Sequence, residues 1–213
     1  MNFETFKKVL SKIQHLDLPA EKSHIKMMPP YRNELVKNHI KDINTARTAA
    51  VLALFYPDEK NDTKLVLILR KTYKGVHSAQ VGFPGGKVEK EDKTLADTAL
   101  RETFEEVGVE VDNMVIVKSL TKVYIPPSHF NVFPFIGYCL QTPVLKKQDE
   151  EVEAILEVDL KHFLDDANLK SKKVQPEHLE EFDVPAMQLN NHLVWGATAM
   201  MLSEVKDLIK KAL

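Results

Sequence analysis

Residues 83–109 run FPGGKVEKEDKTLADTALRETFEEVGV, a glycine pair followed by an acid-rich segment. The spacing predicts a helix inside it. Thr94 with Asp97 three residues later forms a capping-box pattern, and Gly108 supplies a left-handed stop. Ala96, Ala99, Leu100, Thr103 and Val107 fall on one face, which must be buried, and Glu102, Glu105 and Glu106 fall opposite them. At 3.6 residues per turn those three carboxylates share an arc of about 100° and repel one another. Arg101, one turn before Glu105, is the nearby cation on that side and can orient it. Such a cluster reads either as a site for a hard cation, which takes oxygen ligands, or as a solvated acidic face. The helix alone leaves both open. The loop in front shifts the balance, because Gly85-Gly86 offers a backbone that phosphate oxygens can approach closely.

Working outward, TAAVLALFY (48–56) and KLVLILR (64–70) are strand runs joined by the turn DEKND. Further strands are expected around 115–125, 130–139 and 151–158, with a short helix near 159–165 and an amphipathic helix from about 196 to 212. Residues 3–14 read as an amphipathic helix carrying Phe3, Phe6, Val9, Leu10 and Ile13. Residues 1–45 are taken as a lead-in segment packed on a domain of 46–213. Strands flank one central helix without regular strand–helix alternation, so the expected class is α/β of the α+β kind, with a mixed central sheet.

The net charge of −2 gives no basic field for nucleic acid and no polybasic membrane signal. A small-molecule partner is the expectation, and a homodimer is left open. The single cysteine, Cys139, lies in FNVFPFIGYC and reads as a buried inert thiol. MNFETFKKVLSKI lacks the apolar centre of a secretory signal, and no run approaches a membrane span. A cytoplasmic location is expected.

The segment resembles the Nudix box, which runs glycine, five residues, glutamate, seven residues, then Arg-Glu-apolar-x-Glu-Glu-x-Gly-apolar. Here Gly86 is followed by five residues, Asp92, eight residues, then Arg101-Glu102-Thr103-Phe104-Glu105-Glu106-Val107-Gly108-Val109. Asp92 replaces glutamate, one extra residue follows it, and Thr103 stands at an apolar position. The first two departures resemble the coenzyme A pyrophosphatase branch. So do Leu67-Ile68-Leu69-Arg70 and the run from His77 through Gln80 and Phe83-Pro84 to Gly86, although Ala79 stands for a glycine. Tyr124–Ser128 and Val194–Thr198 are similar to that branch too.

The resemblance implies a Nudix-type α/β/α sandwich that hydrolyses a pyrophosphate bond with Mg²⁺ or Mn²⁺. It implies metal binding by Glu102, Glu105 and Glu106, catalytic roles for Glu105, Glu106 and Arg101, and Glu151 as a base or extra ligand. Gly85, Gly86, Arg70 and His77 would meet the substrate, coenzyme A or an acyl derivative. Arg70, Lys71 and Lys74 are the candidates for its 3′-phosphate. Trp195 is expected in the core rather than as a platform for adenine. Asp92 is expected to support the site. The competing readings are hydrolysis of ADP-ribose or a dinucleotide, a non-catalytic nucleotide sensor, and a plain interaction protein.

Overall fold

The computed structural model describes residues 1–72, 80–175 and 180–213. Its helices are α1 (Phe3–Ile13), α2 (Glu21–His24), α3 (Arg32–Asn38), α4 (Leu95–Val107), α5 (Leu160–Leu164) and α6 (Gly196–Ala212). The main sheet holds β1 (Arg47–Pro57), β2 (Thr63–Arg70), β3 (Val81–Gly82), β4 (Gly85–Lys87) and β5 (Met114–Ser119). It also holds β6 (Val123–Ile125), β7 (Phe130–Cys139) and β8 (Val152–Asp159). A smaller antiparallel sheet is made of β9 (Leu169–Val174), β10 (Phe182–Leu189) and β11 (His192–Trp195).

Side chains alternate across a strand, and β1 uses both faces. Ala49, Val51, Ala53 and Phe55 enter one core cluster with residues of α1 and α6. Ala50, Leu52, Leu54 and Tyr56 enter a second, with Ala99 and Val107 of α4. A strand covered on both faces reads as a continuous apolar run, which is why 48–56 shows no alternation. The layers are helix, mixed sheet and helix. β1 and β7 are parallel; the other pairings are antiparallel.

A fork in the sheet positions the glycine loop. β1 pairs with β2 at Phe55–Pro57 against Thr63–Leu65. β7 lies along one edge of β1 and β8 along one edge of β2. On the facing edges β4 pairs with Ala49–Val51 of β1, while β3 pairs with Ile68 and Leu69 of β2. Residues 81–87 therefore fill the gap where β1 and β2 diverge, and Leu52 N donates to Pro84 O at 2.9 Å.

The lead-in segment contributes directly to this core. Phe3, Phe6, Val9, Leu10 and Ile13 are buried, and the Phe6 ring lies 4.8 Å from that of Phe55. Three expectations need correction. The 115–125 strand is two strands, β5 and β6, separated by Leu120-Thr121-Lys122. The last helix is buried on more than one face, enclosing even Ser203, Glu204 and Lys206, because α1 and α2 cover what would be its polar side. Trp195 is only half-buried and lines an open cavity instead of filling the core. Cys139 is fully buried as expected, and burial pushes its thiol up to about 12.

Glu204 explains the buried charge in α6. Its carboxylate accepts from Thr121 Oγ1 (2.6 Å), Thr121 N (3.1 Å) and Ala20 N (3.3 Å), and lies 3.1 Å from His24 Nε2. Burial opposes its ionisation, but the bonds from His24 and Thr121 outweigh that and hold it below the usual range. Glu204→Ala should destabilise the fold by about 3–5 kcal/mol, since several buried donors lose their acceptor; Glu204→Gln, which keeps one, should cost less. A carboxylate with a lowered folded pKa stabilises above its unfolded value, and the gain disappears on acidification. The gap between wild type and Glu204→Gln in denaturant unfolding should therefore shrink as pH falls below 4.5, the ordinary glutamate value. A gap constant with pH would refute the assignment.

Candidate active site

Helix α4 is fixed at both ends by local chemistry. Thr94 and Asp97 form the reciprocal capping box, and Gly108 (φ +75°) closes the helix in the left-handed conformation. Its acids then meet three environments. Glu105 is half-exposed and pairs with Arg101 Nη1 at 3.0 Å. Glu102 is largely buried against Gly86: a Cβ on Gly86 would lie 2.5 Å from Glu102 Cδ. Glu106 is 2% exposed, so for this residue the reading as a solvated face is wrong.

The Glu106 carboxylate lies beneath the glycine loop. Gly85 N donates to its Oε2 at 2.7 Å, and Arg70 Nη1 stands 3.3 Å from its Oε1. Despite that charge contact, Oε1 has no aligned hydrogen-bond donor among the described residues. Burial pushes this carboxyl up to about 7; Arg70 and Gly85 oppose the shift, whereas the charges of Glu102 and Glu151 add to it. Glu102 is also raised, by burial first, with Arg101 opposing and Glu105 and Glu151 reinforcing. Glu151 is exposed on the turn before β8, where its carbonyl accepts from Lys71 N at 2.9 Å.

Arg101 is the hub of the exposed side. Its Nε and Nη2 bind the two Asp92 oxygens, each at 3.0 Å, and Nη1 reaches Glu102 (3.1 Å) and Glu105. Nη2 also donates to Lys87 O at 3.0 Å, tying the helix to the end of β4. Asp92 accepts further from Glu89 N (2.9 Å) and Thr98 Oγ1 (2.8 Å). Bonds from Arg101 hold the Asp92 carboxyl far below the usual range, and Asp92 in turn raises the guanidinium. Such a bidentate pair is rigid as well as strong.

Among the described residues no three acidic, histidine or cysteine side chains already converge as a cation cage. The donor set nevertheless suits a hard cation. It offers carboxylates alone, mutually repelling, one of them with a buried oxygen lacking a donor.

Residues 46–181, well over half of the chain, match the NUDIX domain. The chain belongs to the Nudix family. It is 29% identical over 168 residues to "Nudix hydrolase 22, chloroplastic" of Arabidopsis thaliana, covering 76% of this chain and 55% of the relative. It is 27% identical over 182 residues to the uncharacterized Nudix hydrolase NudL of Yersinia pestis (strain Pestoides F), covering 85% and 89%. The chain spans little more than half the length of the Arabidopsis relative. The crystal structure of MutT protein from Methanosarcina mazei Go1 aligns with TM-score 0.49 at 17% identity, covering 78% of this chain and 95% of that one.

The structure brings Gly85 together with the Nudix-box residues Gly86, Arg101, Glu102, Glu105 and Glu106, with Glu151 close enough for its charge to act. His77 and Lys74 lie outside the described residues. Arg70, expected to meet substrate, donates to Gly85 O at 2.8 Å and faces Glu106, so its guanidinium supports the Nudix loop. Sequence reasoning missed Thr98 as a partner of Asp92, although its position one turn after the N-cap was visible. It also missed the Arg70–Glu106 pair, which no local spacing signals.

Proposed function

We propose that this Nudix chain is a divalent-metal-dependent pyrophosphatase acting on coenzyme A or an acyl derivative, releasing 3′,5′-ADP and (acyl-)4′-phosphopantetheine. The observation that carries the hydrolytic reading is Glu106, buried under Gly85 with one oxygen lacking a hydrogen-bond donor among the described residues. A carboxylate buried there opposes folding even beside Arg70, so its presence favours a function for the charge. Glu102 and Glu106, with Glu105 released from Arg101, would hold Mg²⁺ or Mn²⁺. When bound, the ion supplies charge neutralisation for the phosphates and lowers the pKa of water.

The rest follows from the chain's own groups. Gly85 lets the loop lie against β1, and Gly86 leaves room for the Glu102 carboxylate beside it. Arg70 fixes the loop and Glu106 together. Arg101, locked by Asp92, positions Glu102, and in the metal-free protein it also holds Glu105. Water attacks one phosphorus, the bridging P–O bond breaks, and a glutamate accepts the water proton; Glu151, exposed near Glu102 and Glu106, is the proposed base. Asp92 is a positioning residue in this scheme. Asp92→Asn should lower kcat by about 10-fold, less than Glu106→Gln at equal metal and pH, and the reverse order would show the roles to be exchanged.

The coenzyme A assignment rests on the resemblance at 67–86. Chromatographic product analysis over coenzyme A, 3′-dephospho-coenzyme A, ADP-ribose and a dinucleotide tests it. The proposal expects the highest kcat/KM for coenzyme A. Equal rates on the first two, or a preference for ADP-ribose, would move the chain to the general nucleoside-diphosphate class.

A further inference from the structure

Arg70 is engaged by Glu106 and Gly85, which leaves the substrate's extra phosphate to Lys71, Lys74 or a further cation. The small sheet offers one beside a cavity. One face of that sheet packs Met187, Leu189 and Val194 into the core with α6. The cross-strand pairs Lys172–Val184, Ala186–Trp195 and Gln188–Leu193 put Lys172, Gln188, Leu193 and Trp195 on the other face. There, Lys172 Nζ stands 5.4 Å from the centre of the Trp195 ring.

That face and the edge strand β11 border an open cavity of about 530 Å³, which Leu69, Gln80 and Val81 of the sheet fork also line. The volume suits a nucleotide-sized ligand. The cavity borders the proposed active site. Leu69 adjoins Arg70, and Arg70 N donates to Gln80 O at 3.0 Å. A Cβ on Gly82 would lie 3.8 Å from Arg70 Nε and 4.0 Å from Thr198 Oγ1, so the glycine loop and the start of α6 meet here. β11 and α6 also lie beyond the residues that match the NUDIX domain.

We propose that this cavity is the subsite for the nucleoside end of the substrate, with the base against Trp195 and a phosphate outside the scissile pair on Lys172. The inference rests on the nucleotide reading above and adds where specificity resides. An indole offers a flat apolar face to any base. A lysine can leave an aromatic face for a phosphate, where a charge-assisted bond is stronger. Gln188 and the other amide and imidazole groups on the walls, Gln80, Asn191 and His192, give the polar edges that orient a ligand in a mainly preformed pocket.

Trp195 is the only tryptophan of the chain, so emission excited at the red edge, where tyrosine does not absorb, reports on this wall. Titration with 3′,5′-ADP should change its emission saturably, with half-saturation about 10-fold below that for 5′-AMP. Lys172→Glu should raise the 3′,5′-ADP value by about 10-fold and leave that for 5′-AMP within about twofold, the tenfold being one charged contact. An emission unchanged by either nucleotide, or equal values unaffected by Lys172→Glu, overturns the subsite. If coenzyme A is hydrolysed while Trp195 does not respond, the cavity fails and the pyrophosphatase reading stands. If 3′,5′-ADP binds through Lys172 but coenzyme A is not cleaved, the subsite stands and the coenzyme A reading fails.

Discussion

Glu106→Gln is expected to lower kcat by roughly 10²–10⁴-fold, the range for losing one positioned catalytic group, without lowering the melting temperature. The carboxamide keeps the shape of the side chain and an oxygen for Gly85 N. It removes a charge that burial opposes, as the upward shift of this carboxyl shows. In metal-free protein the variant should therefore be as stable as wild type or more so. That combination separates a functional acid from a structural one. A structural glutamate would give the opposite pair of results, a lower melting temperature with turnover intact, and finding that pair would remove Glu106 from the mechanism. Glu105→Gln should also lose most activity, but through a different route, since Glu105 is half-exposed and paired with Arg101.

The two glycines ahead of the helix should fail in different ways. At Gly85, φ is +145°, and a Cβ would lie 2.5 Å from Val51 Cα and overlap the Ala50 carbonyl. Backbone of β1 cannot yield, so Gly85→Ala should destabilise by about 3–5 kcal/mol, combining dihedral strain with overpacking. At Gly86 the obstructing atoms belong to the Glu102 carboxylate, 2.6 Å from Oε1. A side chain can move aside. Gly86→Ala should fold nearly as well as wild type while losing about 100-fold in kcat/KM, the order expected when a catalytic group shifts by about 1 Å. Thermal melts and steady-state kinetics on the same preparations distinguish these outcomes. Equal stability losses for both variants would place Glu102 in a rigid packing role instead.

These contrasts trace what was readable in the sequence. Helix α4 was legible to the residue because its limits are local: Thr94 and Asp97 cap it, and Gly108 ends it. β1, β2 and β7 were legible as apolar runs bounded by turns. β3 and β4 were not, being two and three residues long and existing only because the fork between β1 and β2 accepts them. β9, LKSKKV, carries no apolar alternation, and its strand state depends on pairing with β10. In the site, the identity of the acids was visible but their environments were not. Glu105 and Glu106 are neighbours on one helix, yet one is half-exposed and the other buried, because the loop at 85–86 covers only the second. The Arg70–Glu106 pair joins residues from β2 and α4, a relation that periodicity cannot contain. Glu204 misleads in the same way, a charge on an apparently polar helix face that tertiary packing encloses.

The metal dependence of coenzyme A cleavage is decided by incubating coenzyme A with the protein stripped of metal by EDTA, before and after adding Mg²⁺ or Mn²⁺, and resolving the products. The stripped protein should give no turnover, and the returned ion should yield 3′,5′-ADP and 4′-phosphopantetheine in equal amounts. Hydrolysis that persists in EDTA, or coenzyme A left intact with either metal present, would contradict a metal-dependent pyrophosphatase.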